Sequence, residues 1–212
     1  TIQSEGPWGV SDKVFNYTVF NSGSLSKYIL RKVPYDFEYA DIQAGIGTPH
    51  AVYAEFTADE TLLVRAEAQA LLGHYAEALE DLNTELAAFS KDGVQLTLDD
   101  VKKFYSDDVT AYYTPEKPTP RKAFHTTFAI SKDTEEPMLQ CILHLRRIMT
   151  IHEGLRMQDV KRYGITIYRR DVKSNYKITG VTDTMKARDP RLAIQLPQDV
   201  ITAGVTPNPR NK

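Results

Sequence analysis

The stretch 138–164, MLQCILHLRRIMTIHEGLRMQDVKRYG, constrains the fold of this chain more than any other. Met138, Cys141, Ile142, Leu145, Ile148 and Met149 recur at the three- and four-residue steps of one helical face, which predicts a helix packed on a core. His144, Arg146, Arg147 and Thr150 occupy much of its remaining surface. Gly154 interrupts the pattern, and glycine in a helix interior costs about 1 kcal/mol relative to alanine. Leu155, Met157, Val160 and Tyr163 form a second, shorter apolar set, so two helical pieces are expected to meet at Gly154. Glu153, Arg156, Asp159 and Arg162 follow one another at steps of three, each within reach of the next on a helix. Ion pairs from Arg156 and Arg162 to Glu153 or Asp159 are expected.

A second helical signal runs from Ala58 to Ser90. Asp59 is positioned to cap a helix through Leu72, and Gly73-His74 breaks it before Tyr75 begins the next. Ala66, Ala70 and Ala78 let two antiparallel helices approach closely, with Tyr75 and Leu79 filling the space between them. The spacing Leu72-Gly73-x-Tyr75-x-x-Ala78 matches a tetratricopeptide helical hairpin, with no contiguous second copy after it. The fold class expected is therefore mainly α: tetratricopeptide-like helical hairpins with irregular loops and a few short β-strands.

Around these helices the signals are shorter. Residues 1–57 are punctuated by glycines and prolines, with strand-like composition at 14–20 and 27–33. Residues 98–107 read as a short helix capped by Thr97, and 112–121, with three prolines, as an irregular surface loop. Residues 123–130 are ambiguous, whereas Glu135, Glu136 and Pro137 suit the first turn of the main helix. Residues 165–170 alternate as a half-buried strand should, and 176–179 form a candidate partner. These segments group into one domain of 1–57 (loops and strands), 58–164 (helical core) and 165–212 (short strands and tail).

Composition excludes several functions. A net charge of −2 gives no field for a polyanion, so Arg146-Arg147 and Arg169-Arg170 are not read as a nucleic-acid surface. No apolar run approaches the ~20 residues of a membrane-spanning helix. Cys141, the only cysteine, lies on the apolar helix face and is expected to be buried filler. The five histidines show no metal-ligand spacing, and no GxSxG, Walker A or GxGxxG motif occurs. Glu153 and Asp159 as a glycosidase pair are outweighed by the arginines beside them. A non-enzymatic chain without metal or cofactor is expected.

Three blocks of the sequence resemble the SusD-like (RagB/SusD) family. Arg146-Arg147-Ile148, Glu153-Gly154-Leu155-Arg156 and Asp159 through Gly164 resemble its signature helix, except that Leu145 and Met149 stand at two acidic positions and Thr150 at a leucine. Arg65-Ala66-Glu67-Ala68, Gly73 and Ala78 through Asn83 resemble the preceding block. Asp189 to Arg191, Leu196 to Val200 and Asn208-Pro209 resemble the closing segments, in order. The resemblance implies the C-terminal portion of a surface-exposed outer-membrane lipoprotein of Bacteroidetes, its lipid anchor outside this sequence. It implies binding of an oligosaccharide or other nutrient and delivery to a SusC-like TonB-dependent transporter. Stacking of aromatics on sugar rings would carry the binding. Trp8, between Gly6-Pro7 and Gly9, is the candidate exposed platform, and Tyr28, Tyr35, Tyr39 and Tyr53 are further aromatics, most of them expected in the core. With its aromatics so spread, this chain alone is expected to bind glycans weakly or undetectably, and to hydrolyse none. The other function class is a tetratricopeptide-like scaffold that binds a peptide or protein in a groove.

Overall fold

Helices joined by glycine turns organise the computed structural model, which describes residues 4–15, 19–22, 27–30, 36–52, 54–151, 153–173 and 177–210. In chain order they form β1 (Glu5–Gly6), β2 (Gly9–Val10), α1 (Ser11–Val14), β3 (Val19–Ser22), β4 (Lys27–Leu30), β5 (Asp36–Asp41) and β6 (Ile46–His50). There follow α2 (Ala58–Leu71), α3 (Tyr75–Phe89), α4 (Leu98–Phe104), α5 (Glu135–Met149), α6 (Arg156–Tyr163), β7 (Ile167–Val172), β8 (Ile178–Met185) and α7 (Gln198–Thr202). The chain divides into two compact units, Thr1–Val101 and Lys102–Lys212, so the segment 58–164 is shared between them. Among the described residues, no helix is long and apolar enough to cross a membrane.

In the first unit α2 and α3 form the expected hairpin. Thr57, two residues earlier than Asp59, is the N-cap of α2, its side chain accepting from the Glu60 N–H at 3.3 Å. At the other end Gly73 takes φ +79°, the His74 N–H bonds to Gln69 O at 2.9 Å and the Gly73 N–H to Ala70 O at 3.1 Å. These are the paired bonds of a Schellman turn, which require a left-handed residue at Gly73. Ala66, Ala70, Ala78, Leu82 and Leu86 are fully buried between the helices, and Arg65 of α2 grips Asp81 of α3 through Nε at 3.0 Å and a terminal nitrogen at 2.6 Å. Gly73→Val is expected to lower the melting temperature by at least the backbone strain, about 1–2 kcal/mol, the added Cβ itself meeting nothing within 4 Å. An unchanged melt would remove the left-handed turn from the account.

The strands are more extensive than the sequence suggests. β1 pairs with β2, β3 with β4, β5 with β6 and β7 with β8, all antiparallel, so the class is mixed helix and strand rather than mainly α. The expected strand at 14–20 starts later than read, since Ser11–Val14 is a helical turn; residues 16–18 and the end of the 27–33 segment lie outside the described residues. The β5–β6 hairpin went unread because glycines and a proline interrupt it. Its turn is made locally, by Asp41 Oδ1 accepting from the Gln43 and Ala44 N–H groups at 2.9 and 3.0 Å.

The second unit is built on α5, whose N-terminus carries Glu135, Glu136 and Pro137 as expected. Its apolar face is buried, but so is most of the face read as surface: His144 is 3% exposed, Arg146 7% and Thr150 6%. Several polar side chains of the helix bind groups across the core. Gln140 accepts from the Lys122 N–H and donates to its carbonyl, His144 Nδ1 lies 3.0 Å from Tyr105 Oη, and Glu136 accepts from Tyr112. The helix thus uses its polar side to hold the irregular segment 105–126. Gly154 (φ +80°) separates α5 from α6, and β7 meets β8 in the Tyr168–Thr184 register. Cys141 is fully buried, and burial pushes its thiol up. A maleimide or disulfide reagent is expected to label it only after denaturation; rapid labelling of the folded chain would place it elsewhere.

Candidate functional site

The second unit carries a half-open cavity of about 1050 Å³, at the upper end of the ~300–1,000 Å³ usual for ligand pockets. Three segments wall it. The proline-rich loop supplies Tyr113 and leads into Lys122 and His125; β7 and its approach supply Ile165, Thr166 and Tyr168; the turn after β8 supplies Lys186, Asp189 and Pro190. Tyr113 and Tyr168, far apart in sequence, stand with ring centroids 5.4 Å apart and planes inclined by 31°.

Arg170 brings the loop to the strand. Its Nε donates to Pro115 O at 2.7 Å, and its two terminal nitrogens to Thr114 O at 2.6 Å and Tyr113 Oη at 2.7 Å. Its guanidinium also lies 4.4 Å from the Tyr113 ring centroid. A planar fork with several fixed donors can bind two carbonyls and a hydroxyl at once, which an ammonium does less well. On the loop's other side, Gln140 holds the Lys122 backbone as a strand neighbour would. The aromatic wall is therefore set by protein contacts before any ligand arrives.

Lys122 is the electrostatic centre of the site. It is 6% exposed, its ammonium nitrogen lies 3.4 Å from the Tyr113 ring centroid, and it donates to Thr119 O. Burial pushes its pKa down to about 6, and the positive charges of Arg147, Arg156 and Arg170 push it the same way. Behind it a crevice of about 10 Å³, the room of roughly one water, is lined by Gln140, His144, Arg147 and Arg156. The acid of the cavity is already engaged. Asp189 receives Arg191 Nε at 2.8 Å and a terminal nitrogen at 2.7 Å, which with the Arg191 N–H holds its pKa near 2. Arg191 also donates to Asp183 at 2.6 Å and to Thr184 O at 2.9 Å, fixing the turn on β8.

The aromatic residue singled out from sequence has another role. Trp8 is 5% exposed, so it is not an open platform: its ring packs 5.4 Å from Phe15, and its Nε1 donates to Ser11 Oγ at 3.0 Å. A carbon added to Gly6 would lie 2.3 Å from the indole, so the glycine beside Trp8 makes room for a buried ring. Tyr39 is 56% exposed on the β5–β6 hairpin, while Tyr35 and Tyr53, with the Tyr28 side chain, lie outside the described residues. Asp159 is buried between Arg146 and Arg156, at 3.4 Å from each. It does not line the cavity. Among the described residues, no group of three or more His, Cys, Asp or Glu side chains is placed to hold a metal ion. Sequence reading missed Tyr113, Lys122 and Tyr168. The available signal was the loop composition, with Tyr112-Tyr113 and Arg121-Lys122 flanking its three prolines.

Compared with family models, with curated proteins and with solved structures, the chain matches none.

Proposed function

We propose that this chain is the C-terminal portion of a SusD-like protein that binds a nutrient, an oligosaccharide, at the bacterial cell surface without breaking a bond in it. The observation that carries the reading is the cavity: a preset pair of tyrosines faces hydroxyl, amine and carboxylate groups in a recess of ligand size. Inclined aromatic rings take the apolar faces of sugars, while Thr166, Thr184 and Lys186 offer hydrogen bonds to hydroxyls.

The blocks that resemble the family have coherent local roles, which supports the assignment. Arg65 of one half of its block binds Asp81 of the other, and Asn83 clasps the Leu96 backbone at 2.9 and 2.8 Å. Asp189 and Arg191 close on each other, and the Asn208 N–H donates to Gln195 Oε1 at 2.9 Å. The α2–α3 hairpin is tetratricopeptide-like in its spacing, in keeping with this family's helical scaffold. On this reading the intact protein is a lipoprotein anchored outside this sequence and hands its ligand to a SusC-like TonB-dependent transporter.

Calorimetric titration of the 212-residue chain against a polysaccharide panel is the test. Binding of at least one glycan, weakened by Tyr113→Ala and Tyr168→Ala, is the expected outcome. Release of reducing sugar would overturn the non-enzymatic reading, and binding insensitive to both tyrosines would move the site elsewhere.

A further inference from the structure

We propose that the cavity selects an acidic saccharide, one carrying a carboxylate or a sulfate ester, and that the Lys122 ammonium seats that anionic group. The inference rests on the nutrient-binding reading above and names the class of ligand.

The argument is a charge census around one atom. Lys122 lines both the large cavity and the crevice behind it, is more than nine-tenths buried, and donates to Thr119 O rather than to a carboxylate. The charged groups that act on it are all cations: Arg147 of α5, Arg156 of α6 and Arg170 of β7. The other titratable groups on its surroundings are Tyr113 and His125 of its own segment, His144 of α5, Tyr168 of β7, and Lys186 and Asp189 after β8. Asp189 is committed to Arg191, so it does not neutralise the recess. Charging this buried amine is unfavourable by itself, since it loses hydration and the positive charges of Arg147, Arg156 and Arg170 oppose it, even with Arg156 paired to Asp159. A ligand anion at Lys122 relieves this, because the interaction is a charge-assisted hydrogen bond to a buried amine. Tyr113, whose ring already lies against the ammonium, would then hold the sugar ring beside its own acidic group.

The ligand-free amine is largely neutral at pH 7, with its pKa lowered to about 6 by burial and by the arginines. An anion favours the charged form, so binding must draw a proton onto Lys122. Affinity for the acid therefore falls as pH rises above about 6, by up to about tenfold per unit until the bound amine itself deprotonates. A uronate or sulfate stays ionised throughout this range, so the ligand does not supply the change.

The test uses three trisaccharides, an oligogalacturonate, a sulfated galactan and their neutral galactan counterpart, titrated calorimetrically into the 212-residue chain. Runs at several pH values in two buffers of different ionisation enthalpy count the protons taken up. An acidic probe should bind at least about tenfold more tightly than the neutral one at pH 6, with proton uptake above that pH. Lys122→Met should abolish both the preference and the uptake; because His125 and His144 are also near, this variant assigns the proton. Whichever acidic probe binds identifies carboxylate or sulfate as the group preferred. Equal binding of neutral and acidic probes, or an acid preference that survives Lys122→Met, would overturn the proposal and leave the nutrient-binding reading standing. Failure of both acidic probes to bind would overturn it as well. Should Lys122→Met fail to fold, proton uptake by the unmodified chain still decides, since binding of an acid without uptake contradicts it.

Discussion

Replacing Asp159 by alanine is expected to destabilise the protein by roughly 3–5 kcal/mol, the cost of removing one partner from a buried ion pair. Asp159 is 7% exposed, and its two oxygens face Arg146 of α5 and Arg156 of its own helix α6, each at 3.4 Å. The same charges on an open helix surface would contribute only about 0.3–0.5 kcal/mol per pair. Burial decides between these magnitudes. Arg146 is itself 7% exposed, so without the carboxylate its charge remains in the interior with this ion pair gone. Burial already draws the Arg156 guanidinium down while Asp159 holds it up. The melting midpoint should fall by an amount on the order of 10 °C. Asp159→Asn separates charge from volume: it keeps the shape and removes the charge, so it should recover little of the loss. A melt of Asp159→Asn within experimental error of the parent would show that the carboxylate's charge does not join α5 to α6.

The sequence reading of this cluster was right about Arg156 and Asp159 as partners and wrong about their setting. A step of three residues identifies Arg156 and Asp159 as neighbours on one helix, and they are. It does not reveal that Arg146, thirteen positions earlier, approaches the same carboxylate from another helix. The polar side of α5 was misread for the same reason. Periodicity finds a buried face by its apolar residues, so a helix buried on its polar side as well looks half exposed. Gln140 and His144 are buried because Lys122 and Tyr105 satisfy them, at separations of 18 and 39 residues. The elements themselves were more legible where the punctuation is local. Gly73 ends α2 through a left-handed backbone that a single residue type announces, and Gly154, also left-handed, stands in the link between α5 and α6.

The candidate site was nearly invisible before folding. Tyr113 and Tyr168 belong to a proline-rich loop and an alternating strand, each ordinary alone, and only the Arg170 fork places them together. Arg169 and Arg170 read alike as a basic pair, yet Arg169 is exposed while Arg170 makes three bonds to the loop. Trp8 was misplaced by its glycine neighbours. Small residues beside an aromatic suit an exposed turn, but they equally admit a ring lying on the backbone, and at Gly6 the second case holds.

Substitution of Gly164 by alanine should be the most damaging change at any left-handed glycine of the second unit, with a loss on the order of 3 kcal/mol or more. Two costs add. At φ 60° and ψ 37° an L side chain carries about 1–2 kcal/mol of backbone strain. The new carbon would also lie 2.3 Å from His125 O and 2.9 Å from its carbonyl carbon, and backbone atoms cannot swing aside as a flexible side chain would. The contact is close because two hydrogen bonds draw the segments together: the His125 N–H donates to Tyr163 O at 2.8 Å, and His125 Nδ1 meets Gly164 O at 3.0 Å. Gly154 provides the control. It too is left-handed, at φ 80°, but a carbon added there meets nothing within 4 Å, so Gly154→Ala should cost the strain alone. The difference between the two variants in urea melts thus measures the close approach at His125. Because Lys122, Ala123 and His125 line the cavity on this segment, Gly164→Ala should also weaken ligand binding, whereas Gly154→Ala leaves it intact. Equal destabilisation by both substitutions would show that the end of α6 and the cavity wall are not bolted together as described.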